Sequence, residues 1–125
     1  MTVLLSTYSE DLSNDSLIKS FLDIIVLAML NGNPVHGYKI IADLHQTFGV
    51  LLSPGTLYPL LYHLEDDKLV EVKEVKRRKL YSLTPKGRKR VFQVNELYKK
   101  NSEKIFSFID TNLMRSIKQS IDKFR

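Results

Sequence analysis

Four consecutive cations, Lys76, Arg77, Arg78 and Lys79, sit within residues 68–90, a stretch holding ten Lys or Arg and two carboxylates. Local charge density of that order attracts a polyanion whatever the net charge of the chain. Upstream, Ser53-Pro54-Gly55-Thr56-Leu57-Tyr58-Pro59, then Tyr62 and His63, puts small and flat side chains where a solvated helix face would carry Glu, Lys and Gln. Tyr38 and Lys39 follow Gly37 at the start of another apolar-periodic segment. Backbone N–H groups and the helix dipole favour a phosphate at such a start. Together these residues suit binding rather than bond-making: Lys and Arg for phosphates, compact polar, methyl and aromatic groups for base edges.

Other chemistries find little support. The chain has 125 residues and no Cys, which excludes a disulfide framework, a thiolate zinc site and a cysteine nucleophile. His36, His45 and His63 do not have metal-ligand spacing, and each reads as structural or surface. Glu65-Asp66-Asp67 is the one carboxylate cluster. A magnesium nuclease gathers carboxylates from several elements, so this run reads instead as a helix end whose charge is offset by Lys68 or the basic block. The expectation is a protein that is not an enzyme and needs no metal or cofactor. The apolar run Ile24 to Leu30 is too short to span a membrane, and no basic leader precedes Val3-Leu4-Leu5. A cytoplasmic protein follows.

The elements that position these residues can be read from periodicity. Residues 1–16 are polar and read as an arm. Leu17, Ile18, Phe21, Leu22, Ile25, Ala28 and Met29 recur at helical steps, and Ile24, Leu27 and Leu30 widen the stripe into that of a buried helix. Asn31-Gly32-Asn33-Pro34 stops it. A second helix, Gly37 to Phe48, is expected to place Tyr38, Ile41, Leu44 and Phe48 on one side. The third opens at Ser53-Pro54, a hydroxyl N-cap with proline at the first helical position, and buries Leu57, Leu60, Leu61 and Leu64. Alternation over Leu69–Val75 and Lys79–Leu83 predicts a hairpin with its tip at Lys76-Arg77-Arg78, although no Gly or Asn-Gly marks the turn. Thr84-Pro85 starts a long helix, either continuous to the C-terminus or divided at Asp110-Thr111-Asn112.

The fold class that results is mainly α with a small β-hairpin. A winged helix-turn-helix over 17–90 is followed by a C-terminal dimerisation helix over 91–125. In that architecture the third helix enters a major groove, and the hairpin tip reaches the adjacent backbone or minor groove. Phe106, Ile109, Leu113, Ile117, Ile121 and Phe124 extend an apolar stripe beyond what the winged domain can cover, which calls for a partner helix from a second copy. The rival from another class is a winged-helix adaptor that binds protein and no DNA.

Pro34-Val35-His36-Gly37-Tyr38-Lys39-Ile40, Leu52 to Leu61, Leu64-Glu65 and Tyr81-Ser82-Leu83-Thr84-Pro85-Lys86-Gly87 resemble the signature of the PadR family of transcriptional regulators, in that family's order and spacing over residues 21–92. The resemblance implies a homodimeric, mostly repressing binder of double-stranded DNA. Tyr38, the Ser53 to Pro59 segment and the hairpin tip would face DNA. Dimerisation would run through the C-terminal helix and the first helix, where Phe21 lies. Small members also take a flat aromatic effector, often against a tryptophan at the dimer centre. This chain has no Trp, and it lacks the glycines common at the family's wing tip.

Overall fold

A computed structural model of the chain describes residues 13–124. They fall into two units, one ending at Val91 and the other beginning at Phe92. Most of the expected arm, residues 1–12, lies outside the described residues. Its last residues are helical: Ser13 caps α1 (Asn14–Ser20), its Oγ accepting the Ser16 N–H at 3.2 Å. The single helix expected from Leu17 is broken at Phe21, whose φ of −108° and ψ of 15° separate α1 from α2 (Leu22–Met29).

β1 (Val35–His36) leads directly into α3 (Gly37–Phe48), which ends on Gly49 in the left-handed conformation, φ 70°. Gly37, Ile40 and Leu44 are its buried residues, with Ile41 and Phe48 packed partly against the core. Tyr38 does not share that side as expected; it is 76% exposed. Next comes α4 (Pro54–Asp66), burying Leu57, Leu61 and Leu64 against Val26, Leu30 and Ile40 in one apolar cluster.

The exit from α4 is a Schellman turn built on a lysine. The Lys68 N–H donates to the Glu65 carbonyl at 2.9 Å and the Leu69 N–H to the Leu64 carbonyl at 3.0 Å, with Lys68 at φ 64°. Lys68 thus turns the main chain toward the sheet. A cation of the basic block, Lys86, reaches the acidic helix end, its Nζ donating to the Asp67 carbonyl at 2.9 Å.

β2 (Val70–Val75) and β3 (Arg78–Leu83) pair antiparallel from Val70↔Leu83 to Val75↔Arg78. β1 joins on the free side of β3, making a three-stranded sheet in the order β1-β3-β2. Thr84 then anchors the last helix. Its Oγ1 donates to the Lys68 carbonyl at 2.6 Å and accepts the Gly87 N–H at 2.9 Å. The Gly87 Cα lies so near the Leu69 carbonyl that a Cβ would collide with that oxygen.

α5 (Pro85–Asp122) is one helix of 38 residues. Asp110-Thr111-Asn112 does not divide it, because the Asn112 amide donates back to the Phe108 carbonyl at 2.8 Å within the helix instead of capping a new one.

Candidate nucleic-acid interface

The outward face of α4 follows from its buried one. With Leu57, Leu61 and Leu64 inside, Gly55, Thr56, Tyr58, Pro59, Tyr62 and His63 point away from the core and all are exposed. Ser53 Oγ accepts the Thr56 N–H at 3.2 Å and lies 3.1 Å from Thr56 Oγ1. That hydroxyl pair fixes the first turn and leaves the Thr56 methyl as the free part of its side chain. Pro59 lies inside the helix without breaking it. Having no N–H, it leaves the Gly55 carbonyl without its usual helical donor.

Tyr58 ties this helix to α3. Its hydroxyl lies against Gly37, where a Cβ would come within 2.5 Å of that oxygen. Only glycine leaves room for the ring. Tyr58 is 38% exposed, so its body is held while one side stays open. Behind it, burial pushes the Tyr81 phenol above its ordinary pKa, with the neighbouring Tyr58 and Glu65 adding to the effect.

The hairpin tip consists of two residues. Beyond the Val75↔Arg78 pair, Lys76 and Arg77 hold φ values of 51° and 66°, the pattern of a type I′ turn. Such turns favour Asn-Gly, because a side chain in the left-handed region costs about 1–2 kcal/mol per residue. Here both positions carry cations instead. His36 braces the hairpin from β1, its Nδ1 lying 3.3 Å from the Lys79 carbonyl oxygen.

These elements meet around a cavity of about 550 Å³. Gly37, Tyr38 and Lys39 line it from the start of α3, Tyr58 from α4, and Arg77, Arg78 and Lys79 from the hairpin. No carboxylate lines it. Six of the sequence-predicted residues, Tyr38, Lys39, Tyr58, Arg77, Arg78 and Lys79, are therefore on one concave surface. Lys76 lines an adjoining recess with His36 and Arg78. Ser53, Gly55, Thr56, Pro59, Tyr62 and His63 continue along the exposed side of α4. Lys39 is ion-paired with Asp43 at 3.4 Å, an exposed i,i+4 contact of small worth.

His36 and Gly37 also line the cavity, although the sequence offers them only as part of the segment Pro34 to Ile40 and not as site residues. Gly37 precedes Tyr38 at a helix start, but only the approach of Tyr58 shows why a glycine is needed there. Among the described residues no group of His, Asp and Glu could hold a metal ion. No described helix is long and apolar enough to cross a membrane.

The residues expected at a dimer contact divide between the units. Phe21 is half-buried at the break between α1 and α2. Phe106, Ile109, Leu113, Ile117 and Ile121 lie exposed along α5 in the second unit, and Phe124, past the helix end, is 91% exposed.

A helix-turn-helix whose second member, α4, shares one concavity with a cationic two-residue hairpin tip defines the winged helix-turn-helix class, a DNA-binding fold. The transcriptional regulator PadR-like family matches residues 26–93. The chain belongs to that family, which is one of transcriptional regulators and not of enzymes. It is 34% identical over 76 residues to the transcriptional activator GvpE1 of Halobacterium salinarum, covering 59% of this chain and 40% of that protein. The chain thus spans about two fifths of that curated relative. Among solved structures, a transcriptional regulator from Clostridium thermocellum is similar at 25% identity and a TM-score of 0.68, over 78% of this chain and 98% of that one. F93 from STIV, described as a winged-helix DNA-binding protein, is similar at 30% identity and a TM-score of 0.57, over 66% and 89% of the two chains.

Proposed function

We propose that this chain is a sequence-specific binder of double-stranded DNA that acts as a homodimeric repressor at a pseudo-palindromic operator. The observation that carries the reading is the shared concavity: an open tyrosine on the reading helix, an N-terminal helix turn and three hairpin cations border one space that has no carboxylate. In this reading α4 enters the major groove, with the Thr56 methyl, Tyr58, Tyr62 and His63 meeting base edges and thymine methyls. Ser53, Gly55 and Pro59 keep the first turns slim enough for close approach. Lys76, Arg77, Arg78 and Lys79 meet phosphates at the adjacent backbone or minor groove, while Tyr38 and Lys39 bring the α3 N-terminus to another phosphate.

Dimerisation is supported by the exposed stripe Phe106, Ile109, Leu113, Ile117 and Ile121, a row of large apolar groups on one side of the helix. A second copy of α5 is its natural cover, with Phe21 and Phe124 as further contacts. A twofold pair places the half-site centres about 34–36 Å apart, or a multiple of that. Repression follows if the dimer simply occludes its operator, working in the cytoplasm where the DNA is.

The test is selection from a random duplex pool followed by binding across a salt series. A palindromic consensus supports the reading, and the Arg77→Gln/Arg78→Gln variant should lower the salt slope by up to about two units, about one per lost phosphate contact. A chain that shifts no duplex at low salt is the adaptor instead. Transcription from a promoter carrying the selected site separates repression from activation.

A further inference from the structure

Two residues weaken α4 and have no reason inside the fold. Of the chain's five glycines, every one but Gly55 either holds a positive φ or lies where a Cβ would collide with another atom. Gly55 does neither: a Cβ there would meet only the Ser53 Oγ, at an ordinary 3.7 Å. Alanine would fit in its place and would hold the helix better. One turn further on, Pro59 stands in the hydrogen-bonded interior of the same helix, where proline is strongly disfavoured. Both residues are exposed, on the side that carries Thr56 and Tyr62.

Their spacing joins the two defects into one. In an α-helix the N–H of each residue donates to the carbonyl four positions back, so the bond that Pro59 removes is the one that would occupy the Gly55 oxygen. The proline ring also crowds that carbonyl and turns it from the helix axis. Among the described residues no side chain donates to it: the nearby Ser53 and Thr56 hydroxyls lie 3.1 Å from each other, and Ser53 Oγ accepts the Thr56 N–H. The result is a backbone acceptor without its helical donor, at a residue with no side chain to screen it. In the major groove its complement is an exocyclic amine, adenine N6 or cytosine N4, the donors displayed there. A main-chain oxygen loses no rotamer freedom on making that bond.

We propose that the Gly55 carbonyl reads one base pair, accepting a hydrogen bond from the exocyclic amine of an adenine or a cytosine, and that Pro59 is the positioning residue that keeps this oxygen free for it. The inference rests on the DNA-binding reading above and deepens it. It makes part of the sequence choice a property of the main chain, with the stability lost at Gly55 and Pro59 as its counterpart.

The full chain is tested on the duplex selected from the random pool. Each adenine is replaced in turn by unsubstituted purine, and each cytosine by the pyrimidinone that lacks its amine. The wild type should lose about three- to tenfold in affinity at one position of a half-site, the worth of one hydrogen bond, and the base replaced there tells adenine from cytosine. Pro59→Ala supplies the missing N–H. It should melt several degrees higher, bind random duplex with the wild-type salt slope, and lose less than about twofold at the same position. A wild type indifferent to every amine, or a Pro59→Ala variant equally sensitive at that position, overturns the inference, while a shared consensus leaves the DNA-binding reading standing. A melting temperature that does not rise shows the carbonyl already partnered within the fold and overturns it as well. A wild type that shifts no duplex fails at the DNA-binding reading, and the carbonyl assignment falls with it.

Discussion

Exchanging Lys76-Arg77 for Asn-Gly sets fold stability against binding in one variant. Both residues hold positive φ, at 51° and 66°, in a two-residue turn closed by the Val75↔Arg78 pair. At about 1–2 kcal/mol per left-handed side chain, the native turn costs roughly 2–4 kcal/mol relative to residues free of that penalty. Asn keeps part of the penalty, and Gly adds about 0.5–1 kcal/mol of unfolded-state entropy. The net expectation is a gain of about 1–2 kcal/mol, a rise in Tm of roughly 5–15 °C for a domain of this size. Binding should move the other way. Each lost phosphate contact removes a factor of about 0.15 raised to the power −0.9 at 0.15 M salt, near fivefold, so losing both costs about thirtyfold on every duplex. Thermal melts by circular dichroism and a salt series on specific and random DNA read the two effects. A Tm that falls or stays put refutes the strain, and an unchanged affinity removes the hairpin tip from the DNA surface.

Three further substitutions probe the supports of that surface. Gly37→Ala forces the Tyr58 ring aside, since its Cβ would lie 2.5 Å from the hydroxyl oxygen; DNA affinity should drop with the helical content unchanged, and adding Tyr58→Phe should recover part of the loss. Gly87→Ala drives a methyl into the Leu69 carbonyl and should destabilise by about 1–3 kcal/mol in denaturant titrations, with no restoring side-chain partner. Tyr81 titrates above its ordinary value because burial, then Tyr58 and Glu65, disfavour the phenolate. The unfolded chain therefore loses its proton first, near pH 10, so the stability that the neutral phenol confers is complete below that pH and lost as pH rises toward the folded value. Relative to Tyr81→Phe, the wild type should lose stability only above about pH 10, and a constant difference from pH 8 to 11 would contradict this.

What could be read from the residues in order, and what could not, divides by the range of the interaction. The Leu57, Leu60, Leu61, Leu64 stripe behind a Ser-Pro start is local, as is the alternation of Val70, Val72 and Glu74 against Glu71, Lys73 and Val75, and both elements stand where those patterns put them. β1 has two residues and exists only because β3, more than forty positions later, offers its free edge; no periodicity exists in so short a segment. The tip was legible as a charge cluster but not as a type I′ turn, because it lacks the residues that normally relieve positive φ. Phe21 fits the helical stripe on both sides, so nothing local marks the break between α1 and α2. Nor could spacing reveal that Gly37 exists for Tyr58. The proposed binding face is thus written locally in charge and helix starts, while its shape depends on contacts between elements. A substitution at Gly37, which an ordinary solvated helix start would tolerate, is accordingly the one that separates a shaped surface from a merely cationic one.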